Sequence, residues 1–487
     1  MSVSRITFSA RTGVLAATAL LLSGCASIPD LGPKPEVRTP QAVAAQQSLA
    51  AAATAWPGDG WWKGYGDPQL GVLIEEGLNG SPDVAAAAAR LRKAAGMAQQ
   101  AGAALLPSLD AQGSPTLDKQ SYNNGFPKEF VPKGWQDRGQ VAASLNFDID
   151  LWGKNRAALA AATSERQAAE IDVAQARLML STGIADAYAD LARLYAERDT
   201  SAAALDIRTA TQKLTDDRVR SGLDTRGDLR QSESEVATSR ANLAAADEQI
   251  ALRRNQIAAL LGAGPDRGLT IARPAIASLN ARGLPAGITT DLVGRRPDVA
   301  AARARVEAAA SRIKVARADF FPAISISGLI GAQSLGLEYL FKKDSIYGNV
   351  GPAISLPLFH GGALSGQYRG ARATYDEAVA TYDGTVIDAY REVADTVTSQ
   401  KALDDRLRES HAALTASEEA YAIARKRYEG GLSTYLQVLV VQERLLTARQ
   451  VVAQLDSRAF SLDVALIRAL GGGFAAGAAL SKDGPNG

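Results

Sequence analysis

Few residues in this chain of 487 can do covalent or metal chemistry: one Cys (Cys25), two His (His360 and His411) and three Met. Zinc, copper and iron–sulfur sites need clustered thiolates and imidazoles, which this set cannot supply. A lone Cys closes no disulfide within the chain. There is no Gly-rich phosphate loop of the Walker type, no nucleophile elbow and no His-Glu-x-x-His spacing. Neither His has an acid that the spacing pairs with it, so both are read as structural or solvated. The expectation is a protein that is not an enzyme and holds no metal. With 53 Lys+Arg against 52 Asp+Glu the formal charge is +1, so charge gives no field-scale attraction to nucleic acid or acidic substrates.

Cys25 is the exception, because its setting is chemical. Met1 to Arg11 carries Arg5 and Arg11, and Gly13 to Leu22 is almost wholly apolar, the layout of a secretory signal peptide over 1–24. The apolar run is too short to span a bilayer comfortably. It ends Leu22-Ser23-Gly24-Cys25, which resembles the lipobox at which a Cys receives diacylglycerol before cleavage. Cys25 is therefore the expected lipid attachment, and that covalent lipid the only cofactor expected. Ala26 rather than Asp follows it, which in such lipoproteins implies an outer-membrane destination. Residues 25–60 are expected to be the anchor and an extended strap, rich in Pro, Ala and Gln to about Ala55.

The elements that position the rest come from an internal repeat. Ser81-Pro82-Asp83-Val84-Ala85-Ala86-Ala87 recurs as Arg296-Pro297-Asp298-Val299-Ala300-Ala301-Ala302, and Leu105-Leu106-Pro107 as Phe320-Phe321-Pro322, at an offset of 215. Arg218-Val219-Arg220-Ser221-Gly222-Leu223-Asp224-Thr225 matches Arg427-Tyr428-Glu429-Gly430-Gly431-Leu432-Ser433-Thr434 at an offset of 209, as does Leu261-Gly262 with Leu470-Gly471. Such echoes, in the same order, argue for a duplicated unit, over 61–270 and 271–471, with a tail at 472–487.

No Pro occurs from Lys133 to Gly264 or from Leu358 to Gly484, so each half holds a very long helical tract. The break in each is the Gly-Leu turn near 222 and near 431, where Gly can take the left-handed conformation that ends a helix. Asp224 and Ser433 are placed to cap the returning helices. Each half is thus a long helical hairpin, its first arm roughly 100 Å if unbroken. Roughly a fifth of the chain is Ala, which suits long helices either by close packing or by propensity alone.

Ahead of each hairpin lie shorter runs, about 109–117 and 140–149, then 323–330 and 349–358, containing alternation such as Ile324-Ser325-Ile326-Ser327. Such runs make either a soluble hairpin or an outer-membrane strand with one face to lipid and one to a lumen. No mature segment has 18 consecutive apolar residues, so any crossing must be as a barrel. Four strands are too few to close one, so several chains would contribute.

These features resemble the outer-membrane efflux factors, the TolC-like channel-tunnels, and most closely their lipid-anchored branch that serves resistance-nodulation-division pumps. The residues that carry the resemblance run from Trp61-Trp62-Lys63-Gly64-Tyr65-Gly66-Asp67-Pro68-Gln69-Leu70 to Leu470-Gly471. They include the repeated Pro-Asp-Val-Ala-Ala-Ala, Phe321-Pro322, Leu151-Trp152-Gly153 with Phe359-His360-Gly361-Gly362, and the Gly-Leu tips. The resemblance implies a mainly α fold with a transmembrane β-barrel. Three protomers close a 12-stranded barrel, continued by a periplasmic α-helical barrel of twelve helices with a mixed belt around its middle.

The implied function is passive export of drugs or other small toxic compounds through outer membrane and periplasm. The implied partners are two further copies, a periplasmic adaptor (membrane fusion) protein, an inner-membrane resistance-nodulation-division transporter and outer-membrane lipid, but no nucleic acid. Ser221, Gly222, Leu223, Gly431 and Leu432 are the expected adaptor contacts, unless Gly only ends the helix and Leu only packs in the turn. Leu436, Val440 and Glu443 fall on one helix face, which in the family narrows the periplasmic entrance. The family often carries an acid where this chain has Val440, which leaves Asp228 as the nearest equivalent and puts an acidic ring in doubt. Gating then rests on apolar closure by Leu436 and polar ties between neighbouring helices. The alternatives are a conduit for type I protein secretion and a lipid-anchored coiled-coil scaffold that forms no channel.

Overall fold

The computed structural model describes residues 27–39, 43–50, 53–275 and 283–475. The expected signal peptide, Cys25 and the tail beyond 475 lie outside the described residues. In chain order the main elements are α1 (Pro68–Gly80), α2 (Pro82–Ala103), β1 (Ser108–Asp118), β2 (Gln136–Ile149), α3 (Lys154–Arg220) and α4 (Arg226–Leu260). The second half repeats them as α5 (Ile288–Arg295), α6 (Pro297–Ala318), β3 (Ala323–Leu335), β4 (Ile346–Ser355), α7 (Ala363–Glu429) and α8 (Tyr435–Ala469). The duplication is metrically exact in the hairpins: α3 and α7 each have 67 residues, α4 and α8 each 35. The change of offset falls in the β segments, whose connections are 119–135 in one half and 336–345 in the other.

The chain divides into two compact units. One holds Arg92–Ala168 and Ala302–Thr381 with the strap up to Val37, and so contains the sheet. Its strands form an antiparallel meander in the order β1-β2-β3-β4. Side chains alternate along a strand, and the register puts Leu109 opposite Leu145, Leu145 opposite Gly328 and Gly328 opposite Val350. One face therefore carries Leu109, Leu117, Val141, Leu145, Phe147, Ile326, Ile330, Ile346, Val350 and Ile354. The other carries Asp110, Gln112, Ser114, Thr116, Gln140, Ser144, Asn146, Ser327, Gln333, Tyr347 and Asn349, with Leu329 and Leu335 its large apolar members. Gln140 Nε2 donates to Tyr347 Oη at 2.6 Å on that polar face. Val350 is 79% exposed, and Leu109, Leu117, Ile330, Ile346 and Ile354 are all exposed too. An apolar face of that kind on strands of 10 to 14 residues has the length and polarity of a bilayer-spanning sheet.

The strand limits differ from those expected in physically legible ways. β4 runs from Ile346 to Ser355 rather than 349–358, since its ladder spans from Ile346 opposite Ala332 to Ser355 opposite Ala323, the first residue of β3. β3 continues to Leu335, helped by Gly331, where a Cβ would stand 2.4 Å from the Val141 carbonyl oxygen. β2 starts at Gln136 rather than 140 because Arg138 pairs with Leu335 and bridges Asp118 at 3.4 Å.

The other unit holds Arg38–Leu91, Ala169–Ala301 and the chain from Tyr382 on. The aromatic opening motif is core here: Trp61 and Tyr65 are buried with Leu70, Leu73 and Ile74 against Ile184, Leu191, Ile257 and Phe460. Tyr65 Oη donates to Asp463 at 2.7 Å, and Tyr188 Oη to Asp67 at 2.6 Å, while Asp67 also caps α1 by accepting from Gln69 N. Arg296 of the second Pro-Asp-Val repeat is buried between Asp298 and Glu392 and donates to the Ala469 carbonyl. These motif residues hold the helices together. No helix among the described residues is long and apolar enough to cross a membrane.

Candidate functional site: the hairpin tips

Each long helix ends in the same backbone device. Gly222 and Gly431 have φ of 72° and 73°, a region L side chains rarely adopt. Leu223 N donates back to Arg218 O at 2.8 Å and Leu432 N to Arg427 O at 2.7 Å; Gly222 N reaches Val219 O and Gly431 N reaches Tyr428 O. That is the Schellman closure of a helix end. It leaves Ser221, Gly222, Leu223, Gly431 and Leu432 exposed, with the two Leu side chains outward, at 64% and 73% exposure.

The residue that precedes each returning helix is one later than expected, and only the first caps through its side chain. Thr225, not Asp224, caps α4: its Oγ1 accepts from Asp228 N at 3.2 Å while Asp228 Oδ2 accepts from Thr225 N at 3.1 Å, a reciprocal capping box. Thr434, not Ser433, precedes α8, and Ser433 Oγ is buried without a hydrogen-bond partner. Asp224 is unavailable as a cap because it is held elsewhere.

Asp224 sits at the centre of a tie between the two hairpins. It accepts from Arg218 Nε at 2.9 Å and from Tyr428 Oη at 2.5 Å. Arg218 also donates to the Tyr428 carbonyl at 2.9 Å, and its guanidinium lies over the Tyr428 ring at 4.6 Å. Thr215 Oγ1 is 3.1 Å from Tyr428 Oη. Tyr428 is fully buried; burial, then its bond to Asp224, pushes its pKa up to about 12, so the phenol keeps its proton and remains a donor.

Ten residues before Arg218 on α3, a second tie forms around Arg208, which is 8% exposed. It bonds Ser239 of α4 at 2.8 Å, lies 3.4 Å from Glu235 and makes a short contact with Glu443 of α8. One guanidinium thus joins three helices. Of the expected gate face, Leu436 and Val440 are exposed, while Tyr435, Val438, Gln442 and Leu445 turn inward. Glu443 belongs to the Arg208 tie, and Asp228 is engaged in its capping box rather than free. His411 is in α7 with Asp456 at 3.6 Å, both half-exposed. His360 precedes α7 and lines a cleft of about 470 Å³ with Trp152 and Phe321. There the indole stacks on Phe321 at 4.8 Å and donates to the Pro322 carbonyl at 2.8 Å, so the two motif segments meet across the repeats.

Sequence reasoning missed Arg208, Thr215, Arg218 and Tyr428. A signal for the last existed: where the tip segments align, Val219 faces Tyr428 and Asp224 faces Ser433. The two halves differ at the residues that bond to each other.

A family model described as "Outer membrane efflux protein" matches residues 73–263 and 289–472. "Multidrug resistance outer membrane protein MdtP" of Escherichia coli (strain K12) is 30% identical over 472 residues, covering 95% of this chain and 96% of that one. "Pyoverdine export outer membrane protein OpmQ" of Pseudomonas aeruginosa is 30% identical over 416 residues, covering 85% and 87%. The crystal structure of the outer membrane protein VceC from Vibrio cholerae superposes with a TM-score of 0.81 at 47% identity, over 86% of this chain and 100% of that one.

Proposed function

Since this chain belongs to the outer membrane efflux protein family, we propose that it works as a homotrimer whose barrel is closed by three copies of the β1–β4 sheet. It is an outer-membrane efflux channel that extends into the periplasm. The observation that carries the trimer is the two-faced sheet: β1 and β4 are open edges, a polar face suits a lumen and an apolar face suits lipid. Twelve strands close a barrel where four cannot. The lumen conducts passively, and the long hairpins carry the duct toward an inner-membrane pump.

The exported compounds are small molecules, a reading supported by relatives named for multidrug resistance and pyoverdine export over the alternative of protein secretion. The periplasmic adaptor docks on the exposed tips Ser221, Gly222, Leu223, Gly431 and Leu432, and a resistance-nodulation-division transporter supplies the energy. Cys25 carries the lipid. The gate is the exposed α8 face of Leu436 and Val440, held shut by the ties at Tyr428–Asp224 and Arg208–Glu443. An acidic ring has no support at Val440, and Asp228 serves its cap.

Native mass spectrometry in detergent and single-channel recording in a planar bilayer test this. A trimer with ohmic conductance is expected. A monomer that conducts would remove the strand argument, and a trimer that never conducts would remove the duct.

A further inference from the structure

The strap before Val37 is fastened to α7 through its backbone. Arg372 is only 8% exposed. Its Nε donates to Asp376 at 2.9 Å, one terminal nitrogen donates to the Gly32 carbonyl at 3.2 Å, and the other makes a short bond to the Pro33 carbonyl. Tyr375 Oη donates to the Pro35 carbonyl at 3.0 Å, and Lys34 Nζ stands 5.7 Å from the Tyr375 ring centre. Further along, Arg38 N donates to Asp383 at 2.9 Å. A buried guanidinium needs all its donors engaged, and here two of its arms end on strap carbonyls. Pro33 and Pro35 suit the role, since Pro favours the extended polyproline form, in which carbonyls have no partner of their own.

The contacts also set a direction and a register. Gly32 and Pro33 meet α7 at Arg372 and Pro35 meets it at Tyr375, so strap and helix run the same way. Arg372 lies nine residues into α7, which begins at Ala363, about 14 Å along the axis. Upstream of these contacts the strap turns, Gly32 having φ of 69° and donating its N–H to Asp30 Oδ1 at 3.0 Å.

We propose that Arg372 and Tyr375 form a cleat that holds the amino-terminal strap in fixed register on α7, so that the chain upstream of Gly32 works as a ruler that sets how far the anchor can reach. The ruler rests on the reading of Cys25 as lipidated; the cleat does not. A strap free to slide would let the anchor sit at any height, whereas a strap cleated at Arg372 limits its reach to the length of chain upstream of the cleat.

The test has two arms in the full-length protein in outer-membrane fractions. In the first, a photo-cross-linking benzoylphenylalanine at position 375 is mapped by mass spectrometry. Cross-links to residues 32–36 are expected, falling several-fold on Arg372→Ala and partly recovered with Arg372→Lys. Cross-links elsewhere, or none lost with Arg372→Ala, overturn the cleat. In the second, deletion of Ile28–Asp30 shortens the ruler and is expected to lower trimer yield several-fold, and adding Arg372→Ala, which lets the strap slide, is expected to restore it. A harmless deletion, or one that Arg372→Ala fails to rescue, overturns the ruler. The N-terminal mass of every variant is read alongside: an unlipidated Cys25 would overturn the ruler and the lipid reading, while the first arm still decides the cleat.

Discussion

Tyr428 donates its phenolic hydrogen to Asp224 at 2.5 Å, joining the outgoing helix of the second hairpin to the tip of the first, across 204 positions of sequence. The bond is made by a buried donor with a raised pKa and is shared with Thr215, so removing the hydroxyl leaves the partly buried Asp224 carboxylate with Arg218 alone. Opening at the tips by separation of the two hairpins has to break it.

Tyr428→Phe keeps the ring and the cation–π contact with Arg218 but removes the tie. The expected cost is about 1 to 3 kcal/mol of inter-hairpin stability, seen as a several-fold rise in open probability in planar bilayers at unchanged trimer yield. Unchanged gating with a normal trimer would take this tie out of the closed state.

Gly222→Val combined with Gly431→Val places a β-branched residue at φ near 72°, where nothing crowds a Cβ and only the backbone objects. Export, read as drug susceptibility in a strain lacking its own channel, should fall while trimer abundance in outer-membrane fractions holds. Loss of the trimer would mean that the glycines serve folding; survival of both would move adaptor docking off the tips.

Ile330 stands on the apolar face of β3 and Asn146 on the polar face of β2. Ile330→Arg is expected to destabilise the membrane-inserted sheet by about 2 to 4 kcal/mol, while Asn146→Arg should fold and alter ion selectivity instead. Equal urea midpoints for the two variants in lipid vesicles would contradict the assignment of faces.

Asp186 in α3 has a pKa pushed up to about 6, chiefly by burial and also by Asp190, with Arg468 pulling it down. A carboxyl whose folded pKa exceeds its unfolded value of 3.8 binds its proton more tightly when folded. Stability from this group therefore falls as pH rises from about 4 to about 6, and its penalty is complete above that. Asp186→Asn should stabilise the protein at pH 7 by on the order of 1 kcal/mol, seen as a higher melting temperature in detergent, with the gain vanishing near pH 4. A gain that is independent of pH would assign the effect to packing.

What the sequence determined by itself is local and periodic. The Pro-free tracts, the offsets of 215 and 209, the Gly-Leu breaks and the alternation in the strand runs depend on neighbours within a turn of helix or a strand, so helical hairpins, repeat and strands were legible within a few residues. What only the tertiary structure decided is who meets whom over long separations. Asp224 looked like a cap because an acid before a helix usually caps it; three-dimensional proximity to Arg218 and Tyr428 took it away, and Thr225 took its place with Asp228. Glu443 was legible as a face residue of α8, but the guanidinium it meets is 235 positions distant. The same holds for the strap, whose extended form follows from its prolines while its register depends on Arg372, 339 positions from Pro33. Periodicity records which side of an element is buried, and carries no information on which distant side chain will be waiting there.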